Sequence, residues 1–369
     1  MSLRVLITNL ELWPPSGTVL YTRDLALELQ RQGHQPAVFS STTGALADEL
    51  RAAGITVTSR ADKLPWTPDI IHGHQHAPTL IALGCWPAVP ATHICHDHAS
   101  EHDRTPLDPH IVRHLGVSRI CVDRLIREGV SEDRTALLLN FVDTVRFRVR
   151  DPLPRQPARA LVFSNYAHSD SHLPAVVEAC RQAGLELDVA GLRSGRLAMR
   201  PEDLLGQYDI VFAKAKAAME AMAVGTAVVL CDFGGAGPMV TSALYDELRP
   251  DNFGFATLTE PLQPEPLLRE IGRYDPVDAA RVRDRIRADA DLVKTVEQLV
   301  GIYNQAIGEY RSMNLPRDTE RRPSTRRLTF IRLIWAWRSL PLGLRIRFKR
   351  LPGGKQVKCG LRRLLGEVN

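Results

Sequence analysis

Apolar residues follow two alternating rhythms along this chain, short β-branched runs and longer stretches at helical spacing, which together predict parallel sheets flanked by helices. At the amino end RVLITNL reads as a strand. The following LWPPSGTVLYTRDLALELQRQGHQPAVFS reads as a loop, an amphipathic helix closed by Gly33, and a second strand. PDIIHGHQH and AVPATHICHDH each read as a strand entering a loop, and ALVFSNYA as the first strand of a second half. Within that half DIVFA and TAVVLCD are apolar runs flanking Ala215 to Val224, a breaker-free stretch rich in Ala and Met, with Gly225 where a helix end favours positive φ. That is a βαβ unit. DPVDAARVRDRIRAD is helical, and a long amphipathic helix is expected from about Ala288 to Tyr310. The Pro- and Arg-rich DPLPRQPAR reads as a linker, so two α/β domains are expected over 1–150 and 151–315, with a tail over 316–369.

The chemistry concentrates between Asp209 and Gly237. Lys214 and Lys216 fall at a helix start, where unpaired N–H groups disfavour a cation and favour an anionic partner. Glu220 lies one turn beyond Lys216 and can pair with it; two solvated surface lysines are the plain alternative. Gly234, Gly235 and Gly237 follow the second strand, at the carboxyl end of the sheet where open α/β folds place ligands, although most such glycines only make turns. In the first half Gly17 and Thr18 sit at a helix entry suited to phosphate, with Ser16 or Thr18 as a simple N-cap the alternative.

EAMAVGTAVVLCDFGG resembles the EAMA-x-G-x-PVV…D-x-GG segment of family 4 glycosyltransferases, and Val117-Ser118 with RICVDRLIREGVSEDRTALLLNFVDTVRF resembles the family's VS…G…NGVD…F segment, with Phe141 at the usual Gly. The opening βα unit is similar too. The resemblance implies α/β architecture of the GT-B type, two Rossmann-like domains facing across a cleft, the first on the acceptor side and the second on the donor side. It implies transfer of a sugar, with retention, from a nucleotide-diphosphate sugar to a glycan or lipid-linked acceptor, with no metal and no cofactor. Glu220 then contacts ribose or donor sugar, Gly17 and Thr18 face the phosphates, and His96 matches the cleft histidine that touches the transferred sugar. Two departures stand out. Phe212 occupies the position of a second family Glu, and SNYAHSDSHLP lacks the Arg and Lys that clamp the diphosphate in many relatives. Asn165, Tyr166, His168 and Ser169 supply polar contacts there, with Lys214 and Lys216 taking over the positive charge.

Two other function classes stay open. Nine of the twelve histidines lie between His72 and His114, and HICHDH is one substitution from a binuclear metallohydrolase pattern, so a metal-dependent hydrolase is one alternative. A catalytically degenerate GT-B protein that only binds partners is the other.

The six cysteines form no C-x-x-C or disulfide framework, and neither a signal peptide nor an apolar run of about 18 residues is present, so a reduced cytoplasmic setting is expected. The overall charge of +5 conceals an asymmetry, because Arg317 to Asn369 carry 15 basic and 3 acidic residues, or +12, leaving −7 for the rest. With its Trp, Phe and Ile residues, LTFIRLIWAWRSLPLGLRIRFKR is expected to lie on an anionic membrane surface at the inner face, ahead of packing on a partner subunit or binding nucleic acid.

Overall fold

A computed structural model describes residues 2–313; the basic segment 317–369, to which the membrane expectation attaches, lies outside the described residues. The first sheet has seven parallel strands: β1 (Arg4–Glu11), β2 (Gln35–Thr42), β3 (Thr56–Thr58), β4 (Ile70–His74), β5 (Ala91–Cys95), β6 (Ile111–Gly116) and β7 (Thr135–Leu137). Their order is β3-β2-β1-β4-β5-β6-β7. Helices α1 (Gly17–Arg31), α2 (Ala45–Ala52), α3 (His76–Cys85) and α4 (Arg119–Arg127) connect them. The chain moves outward from β1 in one direction and then, with β4, in the other. The carboxyl ends of β1 and β4 therefore flank the crevice where a doubly wound sheet receives ligands.

The second sheet runs β12-β11-β10-β8-β9, formed by β8 (Arg159–Phe163), β9 (Glu186–Ala190), β10 (Ile210–Ala213), β11 (Ala227–Asp232) and β12 (Gly235–Met239). Only β12 is antiparallel to its neighbour. Its helices are α5 (Leu173–Ala183), α6 (Pro201–Leu204), α7 (Ala215–Val224), α8 (Tyr245–Leu248), α9 (Pro264–Ile271) and α10 (Pro276–Asp289). Here the switch point lies between β8 and β10, which pair directly. β10, α7 and β11 form the expected βαβ unit, with Gly225 left-handed at the helix end.

α11 (Leu292–Ser312) leaves the second half and packs on the first, where Leu292, Val296, Leu299, Tyr303 and Ala306 join the core of β1, β5 and α1. The sequence pattern predicts this helix from Ala288, but Ala288 and Asp289 belong to α10. The break follows from Asp291, whose carboxylate caps the amide of Lys294 and restarts the helix.

Phe212 is fully buried on β10, so the chain passes straight from strand core through Lys214 into α7 without a loop. The turn is tight: Ala215 has φ +50° and donates its amide to the Phe253 carbonyl. Gly191, after β9, has φ +152°, and a Cβ there would stand 1.9 Å from the Ser164 carbonyl oxygen. Neither atom is free to move, since the oxygen is backbone and the Cβ is fixed by its own backbone. Gly191→Ala is expected to lower stability by about 3 kcal/mol or more in urea melts.

Candidate functional site

Two long helices begin at the cleft without a side-chain cap. Ser16, before α1, has extended backbone and its hydroxyl lies 3.4 Å from Thr18 Oγ1 rather than on a helix amide, so neither residue serves as the N-cap acceptor. Lys214, before α7, can only donate. Both helix starts line one cavity of about 220 Å³, with Ser16, Gly17 and Thr18 from α1 and Ala215, Lys216 and Ala217 from α7. Each start carries roughly half a positive charge, which favours an anion at these N–H groups. His96, Asn140, Asn165, Tyr166, Glu220 and Asp232 are among the other residues that line it, with Lys214.

The protein supplies its own anions to the two lysines. Lys216 is buried, 3.3 Å from Asp24 on α1 and 3.4 Å from Glu220, and donates to the Phe141 carbonyl. Asp24 is further held by Arg23 at 2.7 Å and Arg146 at 3.3 Å. A solvated Lys216 is thus excluded, and its charge is already answered before any phosphate arrives. Lys214 is freer. It reaches Asp232 at 3.3 Å, keeps about a fifth of its side chain exposed, and lies over the rings of Tyr166 and Phe255. Burial pushes the Glu220 carboxyl up to about 7, against the opposing pull of Lys216.

Asn165 lines the cavity but spends its amide on structure: Nδ2 donates to the Pro15 carbonyl and Oδ1 accepts from the Leu192 amide. It joins the α1 loop to the second half. His168 and Ser169 lie away from this cavity, with His168 Nε2 2.9 Å from Arg193. Gly234 and Gly235 are also absent from its wall. A Cβ on Gly234 would strike the Phe255 ring at 2.3 Å, and one on Gly235 would meet the Leu258 and Glu260 carbonyls at 3.0 Å. Packing of the 252–260 segment accounts for both glycines.

His96 follows β5, its loop fastened by Asp103, whose Oδ2 accepts from the amides of His96 and Asp97 at 2.7 and 2.6 Å. Its Nε2 lies 3.1 Å from His74 Nδ1. Burial depresses the imidazole to about 3; Asp97 opposes that shift and Lys216 adds to it. His96 also lines a second cavity, of about 380 Å³, with His98, Ser118, Tyr166, Phe233, Asn252 and Phe255. The Tyr166, Phe233 and Phe255 rings stand in sequence at 4.9 and 5.2 Å, and His98 lies 5.3 Å from Phe255.

The histidine-rich stretch divides between the two faces of the first sheet, so HGHQH and HICHDH do not assemble the binuclear site that the metallohydrolase alternative needs. Strand alternation sends His72 and His74 to one face of the first sheet. His93, paired in register with Gly73, goes to the other, where it meets His114 at 3.3 Å. Cys95 turns to Cys121 and the Asp97 carbonyl, and His98 to Phe255. Among the described residues no group of three His, Cys, Asp or Glu could hold a metal ion.

Asp24, Arg146, Asn140, Asp232 and Phe255 were not singled out by sequence. Asp24 and Arg146 look like ordinary charges on a helix and a connector; only their partners give them a role. Asn140 lies within the NFVD segment that carried the family resemblance, so a cue was present there.

No protein-family model matches the chain, and no curated protein matches it. Solved structures do. A glycosyltransferase from Rickettsia africae is 16% identical with a TM-score of 0.61, covering 83% of this chain and 99% of that one. The Anabaena protein HepE, solved in complex with UDP and glucose, is 14% identical with a TM-score of 0.62, covering 82% and 100%. A sucrose-phosphate synthase from Thermosynechococcus elongatus is 14% identical with a TM-score of 0.58, covering 83% and 100%. The chain has the GT-B fold these proteins share, and at this identity the likeness reaches the fold and not a family within it.

Two outcomes follow from the buried charges. Lys216→Met leaves Asp24 and Glu220 buried with one cation fewer and is expected to cost about 3–5 kcal/mol in denaturant melts. His72, His74, His93, His96 and His114 all have imidazoles depressed by burial, so each contributes stability that is complete above the ordinary value of 6.5 and is lost as pH falls below it. Glu220 and Asp103, both raised by burial to about 7, act oppositely, losing stability as pH rises toward 7. At about 1.4 kcal/mol per proton per pH unit, five imidazoles outweigh two carboxyls. Stability should fall between pH 6.5 and 5.5 by roughly 3 kcal/mol; a rise on acidification in urea melts would show that these imidazoles are not buried neutral.

Proposed function

We propose that the protein is a glycosyltransferase that moves a sugar from a nucleoside-diphosphate sugar to a saccharide or lipid-linked acceptor, with retention of configuration. One observation carries this reading: two uncapped helix starts and Lys214 converge on a single cavity beside His96. Helix N-termini bind phosphate oxygens through amides and dipole together, and Lys214 contributes a charge that Asp232 holds in place without burying it. The diphosphate lies across Gly17, Thr18 and the first turn of α7. The transferred sugar faces His96, and the acceptor enters through the second cavity, over Tyr166, Phe233 and Phe255. Binding of UDP and glucose by HepE, which shares the fold, makes UDP the first ligand to test.

The carboxylates lining the two cavities argue against a covalent glycosyl-enzyme, so the retention we propose proceeds by front-face attack. Glu220, Asp232 and Asp251 are paired with Lys216, Lys214 and Arg119, and Asp97 accepts from the amides of Ala99 and Ser100. None stands free as a nucleophile. The acceptor proton then passes to the departing diphosphate, whose charge the helix starts and Lys214 stabilise. A protein that only binds the nucleotide would share these contacts, and sugar transfer to an acceptor separates the two. The basic charge of segment 317–369 supports a peripheral position on anionic membrane, where lipid-linked acceptors reside.

Thermal shift with UDP, GDP, ADP and dTDP, with and without EDTA, is expected to show stabilisation by one nucleotide that the chelator leaves unchanged. Silence with all four would refute the donor site. Lys214→Ala should weaken nucleotide binding by about 10- to 100-fold. Gly17→Ala has open space for its methyl, so the fold should stay within about 1 kcal/mol of wild type. Affinity should nevertheless drop if a phosphate approaches that backbone, and calorimetric titration reads both variants.

A further inference from the structure

Two aromatic side chains of the second half stand beside the cleft with much of their surface in water. Tyr166, after β8, and Phe233, after β11, are each 47% exposed. Grouped apolar exposure of this kind marks a binding surface, since a ligand that covers the rings removes them from water. The pair is held in place. The Tyr166 amide donates to Ser164 Oγ at 3.1 Å, the Phe233 amide donates to Asp232 Oδ1 at 2.7 Å, and the Ser164 hydroxyl donates to the same Asp232 oxygen at 3.3 Å. Ser164 and Asp232 are buried, so one polar cluster inside the second half fixes the backbone of both aromatic residues, whose rings meet edge to face at 4.9 Å.

Two cavities share this pair. Tyr166 and Phe233 line the second cavity, together with His96, and they also line a third, of about 420 Å³, with His168, Asp170, Arg193 and Leu262. The third cavity is built entirely by the second half, from the segments that follow β8, β9 and β11 and from Leu262 ahead of α9. It sets apolar rings beside hydrogen-bonding groups of both kinds. Arg193 Nη1 lies 2.9 Å from His168 Nε2, and Asp170 Oδ1 accepts from the Ser169 hydroxyl at 3.3 Å. In these contacts each charged group uses one of several hydrogen-bonding positions, so donors and acceptors remain for a ligand.

A sugar ring matches that combination, because its C–H face covers an aromatic ring while its hydroxyls both donate and accept. Asp170 disfavours a simple anion, and a lipid chain over the site would strip water from Arg193 and Asp170 without replacing it. We propose that the third cavity is a subsite for a further sugar ring of the acceptor, reached across Tyr166 and Phe233 from the cavity beside His96. The acceptor is then a saccharide of more than one ring. Its receiving ring lies beside His96, and the next ring stacks on the aromatic pair with its hydroxyls toward Asp170 and Arg193. This rests on the reading that the acceptor enters through the second cavity.

The test applies the full chain to an array of immobilised mono- to hexasaccharides, neutral and acidic, and then measures the affinity of the retained glycans in solution. Oligosaccharides should be retained and monosaccharides should not. Arg193 and Asp170 line neither of the other two cavities and are exposed, so Arg193→Ala and Asp170→Ala should keep the wild-type melting temperature. Each should weaken oligosaccharide binding by roughly tenfold or more. Retention of no oligosaccharide, equal affinity for monosaccharides and oligosaccharides, or oligosaccharide affinity unchanged in both variants would overturn the subsite. Thermal shift with UDP on the same samples reports on the donor site separately. Oligosaccharide binding that depends on Arg193, in a protein that ignores UDP, would uphold the subsite and refute the donor reading.

Discussion

The buried contact of Lys216 with Asp24 and Glu220 is the interaction on which the cleft depends. Asp24 lies midway along α1 of the first half, and Lys216 and Glu220 on α7 of the second, so a single ammonium group fastens the first turn of α7 to the body of α1. Burying charge in this way costs desolvation, which is recovered only when every partner is present. Arg23 and Arg146 crowd the same Asp24 carboxylate, and the Phe141 carbonyl takes a further Lys216 proton. The result is a specific contact between α1 and α7 beside the cavity their starts share, an arrangement that hydrophobic packing alone would not single out.

The chemistry of the cleft follows from that contact. Two helix starts and Lys214 bring N–H groups and a cation to the smaller cavity, so the proposed anion site does not depend on an arginine clamp in the turn SNYAHSDSHLP. Lys214 is the cation left at the boundary between the two cavities, held by Asp232 from one side and by aromatic faces from two others. The histidines contribute neutrality. Burial keeps their imidazoles neutral, so they add no charge to the space beside His96.

Much of the architecture was legible in the sequence, because strand and helix periods report local burial. Ala215 to Val224 emerged as a helix with its end at Gly225, since alanine-rich continuity and a terminal glycine are both local signals. The partners of Lys216 were not legible, as Asp24 lies far along the chain and looks like any polar helix residue. Gly234 and Gly235 suggested a ligand because a glycine pair looks the same whether it makes room for a phosphate or for Phe255. HICHDH suggested a metal because spacing says nothing about alternation, and alternation sends His93 and His96 to opposite faces. Asp291 divided a helix that periodicity alone would have run together with its predecessor.

The most direct measurement is a titration of 15N-labelled protein with inorganic pyrophosphate and, separately, with uridine, following backbone amides by NMR. If the two helix starts form the anion site, pyrophosphate alone should shift the amides of Gly17, Thr18, Lys216 and Ala217 together, with a common affinity, while uridine leaves them largely in place. Saturable shifts confined to other surfaces, with those four amides unmoved, would contradict the claim that the facing helices bind the diphosphate.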